Sequence, residues 1–338
     1  MAERLPRVSV LLPVRDAAPT LAEALASLRE QTLSDHEVVV IDDGSQDGSG
    51  ALLAAAARLD SRLRVVHTPR RGLVAALNLA LERARAPVVA RMDADDIAAP
   101  ERLRLLVERL AKDARLEMLG SRVRLLGEPD FRNAGMRAYV AWQNQLLDHG
   151  AIVRDLYVES PLVHPSVAMR TATLRGLGGY RDLGGPEDYD LWLRAHAAGL
   201  RFAKLEETLL DWRDRPARLT RRDPRYARAR FLEAKREALL AGPLRDGARI
   251  VVWGAGRIGK AWARALLQAG RPASAFVEVD QAKLGQRIHG AVVVELEGAA
   301  RYADAWHLGA VGQPGARLRI RKAAAGLKLP AERLIAVA

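Results

Sequence analysis

The run from Pro87 to Pro100, PVVARMDADDIAAP, constrains this chain more than any other stretch. Val88 to Ala90 is short, apolar and bounded by Pro87, the pattern of a buried strand. Asp93, Asp95 and Asp96 follow at once, and Pro100 can then open a helix from Glu101 onward. Carboxylates crowded in this way repel one another unless a cation sits among them. Oxygen ligands suit a hard divalent ion, Mg²⁺ or Mn²⁺, which usually shares its remaining positions with substrate phosphates. The plainer reading is a solvated acidic loop that caps the next helix. A calcium loop fits worse, because Ala98 and Arg104 stand where glycine and glutamate are required.

The neighbouring segments predict what surrounds that run. Arg7 to Pro13 (RVSVLLP), Glu37 to Ile41 and Arg64 to Val66 read as strands, the first nearly continuous in apolar residues. Helices are expected from a capping box at Thr20–Glu23, from Gly50 to Leu59, and from Leu73 to Arg85. Strands alternating with helices predict a doubly wound α/β domain, whose ligands gather at the carboxyl ends of the strands. Asp43 and the cluster from Asp93 to Asp96 both lie at such ends. Asp43, Ser45, Asp47 and Gly48 imitate the start of a calcium loop, but its twelfth position is Ala54.

Farther on, Met118 to Leu126 reads as a strand, the region up to Val158 as mixed loop and helix, and the tail of Pro161–Arg170 as another strand. Pro186 is placed to start a helix with Glu187 and Asp188 in its first turn, where the dipole favours anions. Asp190 is spaced to pair with Arg194.

Composition narrows the class. A chain of 338 residues with 49% hydrophobic content can build two domains with ample cores. The absence of cysteine excludes disulfides and thiolate metal sites and suits a reducing cytoplasm. Val8 to Val14 is too short for a signal peptide, and no run approaches a membrane span. The net charge of +12 biases the chain toward anionic partners: nucleotide sugars, acidic lipid surfaces or nucleic acid. With aromatics at 5%, stacking on single strands is disfavoured, and no nucleic-acid partner is expected.

Four segments in order, RVSVLLPVRD, VVVIDDGSQDGS, DADD before Pro100, and GPEDYDLWLR, resemble a family 2 glycosyltransferase of the GT-A fold over about Arg7 to Trp212. The resemblance implies a nucleoside pocket lined by Pro13, Arg15 and Asp43. It implies that Asp93 serves the ribose, that Asp95 and Asp96 lie nearest the metal, and that Asp188 is the catalytic base. Glu187, His164 and Trp192 would lie on the acceptor or donor side. Arg15 stands where the family often has an aromatic; its planar face can still stack on a base. A structural histidine before Pro165 is the equal competitor for His164. One base with no carboxylate set aside as nucleophile predicts a single displacement with inversion.

The stretch Arg213–Arg236, RDRPARLTRRDPRYARARFLEAKR, reads first as a solvated charge-rich linker and helix. In related enzymes a loop here closes over the donor diphosphate, which would engage Arg213, Arg218 and Thr220. The arginines could instead hold the protein on anionic lipid beside a lipid-linked acceptor. From Asp246 the composition changes. A strand, Gly254-Ala255-Gly256-Arg257-Ile258-Gly259 and a helix from Ile258 to Ala269 form a Rossmann fingerprint, with Glu278 after the next strand as the ribose-binding acid. Ala261 replaces the hydroxyl that a P-loop requires. The expected organisation is therefore a GT-A domain over 1–212, a basic loop and linker helix over 213–245, and a small Rossmann-like domain over 246–338.

Taken together, these segments predict a metal-dependent inverting transferase. It would move a sugar from a nucleotide donor, first of all a UDP-sugar, to a glycan or lipid-linked acceptor in cell-surface glycan synthesis. It would be cytoplasmic, with peripheral contact at the inner membrane face as a further expectation. The competing readings are an NAD(P)-linked oxidoreductase or nucleotide-sugar-binding protein built on Gly254–Glu278, and a non-catalytic basic adaptor.

Overall fold

The computed structural model describes residues 5–127, 134–215 and 218–338. In chain order the first elements are β1 (Val8–Val14), α1 (Ala18–Arg29), β2 (His36–Asp43), α2 (Ser49–Leu59), β3 (Leu63–Thr68), α3 (Leu73–Arg83), β4 (Val88–Arg91) and β5 (Ile97–Ala98). They are followed by α4 (Arg102–Lys112), β6 (Leu116–Gly127), α5 (Ala134–Gln143), α6 (His149–Asp155), β7 (Ala168–Arg170), α7 (Thr171–Gly176), α8 (Glu187–Ala197) and β8 (Arg201–Asp214). The remainder comprises α9 (Leu219–Arg222), α10 (Arg228–Ala241), β9 (Ile250–Trp253), α11 (Arg257–Gln268), β10 (Ala275–Val277), β11 (Arg287–Ile288), β12 (Ala291–Val294), β13 (Trp306–Gly309), α12 (Ala316–Gly326) and β14 (Leu334–Ala336).

The chain parts into two compact units. One holds Met1–Ile152 and Pro161–Tyr226, the other Val153–Ser160 and Ala227–Ala338. The second division falls between the boundaries expected at 212 and 246. The return of Val153–Ser160 to the later unit has local causes. Buried Asp155 pairs with Arg321 at 3.0 Å, and the Lys235 ammonium donates to the Val158 carbonyl at 2.6 Å.

In the first unit eight strands order as β3-β2-β1-β4-β7-β6-β8-β5. β3, β2, β1 and β4 run parallel, so Arg15, Asp43 and Asp93 emerge at the same edge. All eight residues of β2 are buried, and its middle, Val38 to Ile41, is a continuous apolar run and not an alternation. On one face Val8, Val10 and Leu12 pack with Leu21 and Leu28 of α1 and with Leu103, Leu106 and Leu110 of α4. Each such side chain, fully buried, contributes about 1.5–3 kcal/mol.

One local expectation fails for an identifiable reason. Thr20 does not cap α1: the helix starts at Ala18 after Ala17, Pro19 occupies the first turn, and the Thr20 hydroxyl donates to the carbonyls of Ala17 and Ala94. The strand expected in the tail of Pro161–Arg170 is β7, which follows a 3₁₀ turn at His164–Ser166.

The second unit is a six-stranded sheet ordered β11-β12-β10-β9-β13-β14, parallel except for β11 against β12. Its core joins Val251, Trp253, Ala275 and Val277 to Ala324 and Leu329.

Candidate active site

The acidic cluster is built by two strand ends. β4 delivers Arg91 to Asp93, while β5 pairs antiparallel with β8 through Ile97 against Asp211. That pairing brings residues 213–215 alongside Asp95 and Asp96. Oxygens of Asp93, Asp95 and Asp96 all lie within 4.8 Å of one another. Their partners divide them. Asp93 takes an ion pair from buried Arg91 at 2.6 Å, and that cation holds its carboxyl below the usual range despite burial. Asp95 pairs with Arg215 at 3.1 Å, yet burial and the Asp93 charge push it up. Asp96 is buried and is pushed far up, by burial first and then by the other two carboxylates. Its Oδ1 accepts the Arg213 amide at 2.8 Å, while its buried Oδ2 has no hydrogen-bond partner.

An orphaned buried oxygen in an acidic cluster costs stability that a cation would restore. The residues therefore fit a divalent ion held by Asp95 and Asp96.

The segment after β8 surrounds this cluster with positive charge. The Arg213 guanidinium donates to the Asp95 carbonyl at 2.7 Å and also contacts Glu23. Arg218 stacks its guanidinium 3.7 Å from the Trp212 ring centroid, and its field lowers all three aspartates. Thr220 is exposed on α9. Residues 216 and 217, within the expected basic loop, lie outside the described residues.

On the nucleoside side, Pro13 is half-buried and Arg15 exposed, 3.4 Å from Asp16. Both oxygens of Asp43 are occupied, accepting the amides of Arg71 at 2.6 Å and Gly72 at 2.9 Å. Asp43 thus fixes the turn before α3.

A second polar group forms around the start of α8. Pro186 precedes the helix, and Glu187, Asp188 and Asp190 occupy its first turn. Buried Glu187 has His164 Nδ1 at 3.6 Å from Oε1 and accepts the Tyr226 hydroxyl at 2.7 Å on Oε2. Those partners hold it as an anion against its burial. His164 Nε2 meets the Tyr180 hydroxyl at 3.1 Å, and its ring stands edge-on to fully buried Trp192. Burial lowers the His164 pKa and favours the neutral ring. Asp188 is half-buried beside this group, and its charge acts on both Tyr180 and Tyr226. Asp190 pairs with Arg194 at 2.8 Å and also with Arg181, as its spacing suggested.

Residues 9–174 match the profile described as Glycosyl transferase family 2. EpsE of Bacillus subtilis (strain 168), which carries a provisional glycosyltransferase name, is 30% identical over 227 residues, covering 66% of this chain and 78% of that protein. The O-antigen biosynthesis glycosyltransferase WbnJ of Escherichia coli is 30% identical, over 62% of this chain and 80% of that protein. This chain belongs to glycosyl transferase family 2.

A solved structure of S. aureus TarS 1-349 in complex with UDP-GlcNAc is similar at TM-score 0.56 and 19% identity, over 77% of this chain and 71% of that one. The mannosyltransferase PcManGT from Pyrobaculum calidifontis, in complex with GDP-Man and Mn²⁺, is similar at TM-score 0.51 and 23% identity, over 79% and 80%. The family 2 chain therefore has the GT-A fold, followed by a second α/β sheet.

In that second sheet the glycine fingerprint is explained by packing. A Cβ on Gly259 would sit 1.8 Å from the Gly254 carbonyl oxygen, and one on Gly254, at φ +98°, would sit 2.5 Å from Val311. Gly256 has open space. Glu278 turns back onto the glycine turn, where Oε2 accepts the Ala255 amide at 2.8 Å and Oε1 the Val279 amide at 2.9 Å, so both of its oxygens are already taken.

Several residues of this family 2 site had no sequence signal of their own. Arg91, Arg215, Tyr180 and Tyr226 matter through partners two to 120 positions away. Arg215 and Tyr226 were hidden within the basic segment, and Tyr180 stood outside every motif.

Proposed function

We propose that this chain is a metal-dependent, inverting glycosyltransferase that moves a hexosyl or related unit from a nucleoside-diphosphate donor to a hydroxyl acceptor in cell-surface glycan synthesis. The observation that carries this reading is the unpartnered, buried Asp96 Oδ2 set against two further carboxylates and Arg215. A bound ion would neutralise the departing diphosphate as a Lewis acid, without moving a proton.

The chain's own groups supply the rest. Asp95 and Asp96 hold the ion, while Arg215 and Arg218 add charge where the diphosphate leaves. Pro13, Arg15 and Asp93 receive the nucleoside, and Asp43 shapes their floor. Asp188 accepts the acceptor hydroxyl's proton as the new bond forms. Both oxygens of Glu187 face other partners, His164 and Tyr226, and Asp190 is paired with Arg181 and Arg194, so no second carboxylate of this turn is set aside as nucleophile. One displacement with inversion follows.

A UDP-sugar is the first candidate donor. An E. coli relative, 28% identical over 63% of this chain and 76% of its own, is named UDP-Gal:alpha-D-GlcNAc-diphosphoundecaprenol beta-1,3-galactosyltransferase, which supports a UDP donor and a lipid-linked acceptor. Among the described residues no helix is long and apolar enough to cross a membrane. Reaching such an acceptor would take peripheral contact with an anionic bilayer, which the net charge of +12 favours.

The test is a panel of UDP- and GDP-sugars incubated with the protein and Mn²⁺, following nucleoside-diphosphate release. Metal-dependent release from one donor is expected. No release and no thermal shift with any donor would overturn the reading.

A further inference from the structure

The Tyr226–Glu187–His164–Tyr180 chain lies outside the cation cluster, and the chemistry above gives it no task. Its geometry favours one hydrogen-bond polarity. The Tyr226 hydroxyl donates to Glu187 Oε2 at 2.7 Å. Glu187 Oε1 faces His164 Nδ1 at 3.6 Å, with both side chains buried. An anion opposite Nδ1 favours a proton there, so in the neutral ring Nε2 carries the lone pair and accepts from Tyr180 at 3.1 Å. Tyr180 is itself fixed, because its backbone exchanges two bonds with the Asn78 amide, at 2.8 and 2.9 Å. Arg194, bonded to the Gly179 carbonyl at 2.8 Å, steadies the same turn.

We propose that Tyr226 is a positioning residue for glycosyl transfer. Its hydroxyl occupies one oxygen of Glu187, leaves the other facing His164 Nδ1, and so sets the tautomer of the ring beside the base-bearing turn of α8. This role rests on transfer occurring at that site. With the tautomer set, the buried side of α8 presents a fixed charge pattern beside Asp188. Glu187 is faced by His164, Tyr226 and Tyr180, by the cations Arg91 and Arg225, and by the neighbouring Asp188. Of these, Tyr226 donates a hydroxyl proton to Glu187 itself, and Tyr226→Phe deletes it while the aromatic ring stays in place.

The sign is determined. A hydroxyl donating to a carboxylate stabilises the anion, so its removal raises the pH at which Glu187 becomes neutral and the Nδ1–H preference is lost. The measurement is a long-range ¹H–¹⁵N correlation spectrum of the full chain labelled at its 7 histidines, with His164 assigned by His164→Asn. Neutral Nδ1–H at pH 7 is expected. In Tyr226→Phe the pH at which that signature disappears should rise by about one unit. The acidic limb of UDP-sugar turnover should move with it, while Mn²⁺-dependent UDP affinity stays within about twofold.

An Nε2–H ring at pH 7, an unmoved midpoint, or a moved midpoint with an unmoved limb would each overturn the proposal. Should Tyr226→Phe not fold, Glu187→Gln decides. Its amide can present either its oxygen or its NH2 to Nδ1 but has no carboxylate to titrate, so the pH at which the Nδ1–H signature disappears should move from the wild-type midpoint, and an unmoved midpoint would overturn the proposal. The spectrum needs no donor, so absence of UDP-sugar turnover would sink the enzymatic reading while leaving the hydrogen-bond assignment separately decided.

Discussion

The backbone amide of Arg213 donates to Asp96 Oδ1 at 2.8 Å, joining positions 117 apart in sequence. The bond is a product of the β5–β8 pairing, and it orients the carboxylate whose other oxygen is unpartnered. Arg213→Pro deletes that donor, whereas Arg213→Ala keeps it. Charge-assisted bonds of this kind are worth about 1.5–3 kcal/mol, so the proline variant should weaken Mn²⁺-dependent UDP binding by about tenfold or more. Calorimetry on both variants checks this, with the alanine variant retaining most of the affinity.

Asp188 and Asp190 share the first turn of α8 but not their surroundings. Asp188→Asn removes basicity and keeps shape, so turnover should fall by about 10²–10⁴ with donor affinity unchanged. Asp190 bridges Arg181 and Arg194, and its asparagine variant should lower stability by about 1 kcal/mol and spare turnover. Steady-state kinetics beside thermal melts separate the two.

Asp96 binds its proton more tightly in the folded chain than in the unfolded chain, since its pKa is raised. Its contribution to stability therefore falls as pH rises from the unfolded aspartate pKa toward the folded one. A metal needs the deprotonated form, so stabilisation by Mn²⁺ should grow across the same interval. Buried His36, His164 and His307 have lowered pKa values and slope the other way, so the comparison is wild type against Asp96→Asn. Melting temperatures at several pH values, with and without Mn²⁺, should show the pH-dependent metal gain in wild type alone.

The glycine fingerprint of the second unit makes a separate prediction. Gly259→Ala places a methyl against the Gly254 carbonyl and should cost about 3 kcal/mol or more. Gly256→Ala meets nothing within 4 Å and should change stability by less than about 1 kcal/mol. Denaturant unfolding of both variants checks the packing explanation, and equal effects would contradict it.

The parallel strands were legible because burial on both faces leaves nothing but apolar residues, as in Val38 to Ile41. Asp93, Asp95 and Asp96 were legible because their spacing is local. The capping box at Thr20 misled because its hydroxyl had a tertiary partner in the Ala94 carbonyl, which no local pattern reveals. The tail of Pro161–Arg170 was legible as β7 from its alternation, while the 3₁₀ turn at Pro165 just before it left no such pattern. Tyr226 reaches Glu187 across 39 positions, and Arg215 reaches Asp95 only through the β5–β8 pairing. Such contacts belong to topology, and a motif search passes over them.

We infer that the Asp93–Asp96 cluster holds a divalent ion together with a nucleoside diphosphate. Calorimetric titration of UDP into the full chain, with Mn²⁺ and with a chelator, tests it most directly, run in parallel on Asp96→Asn. The account predicts binding strengthened at least tenfold by Mn²⁺ in wild type, with that strengthening lost in the variant. UDP affinity indifferent to Mn²⁺ in wild type, or metal enhancement that survives Asp96→Asn, would contradict it.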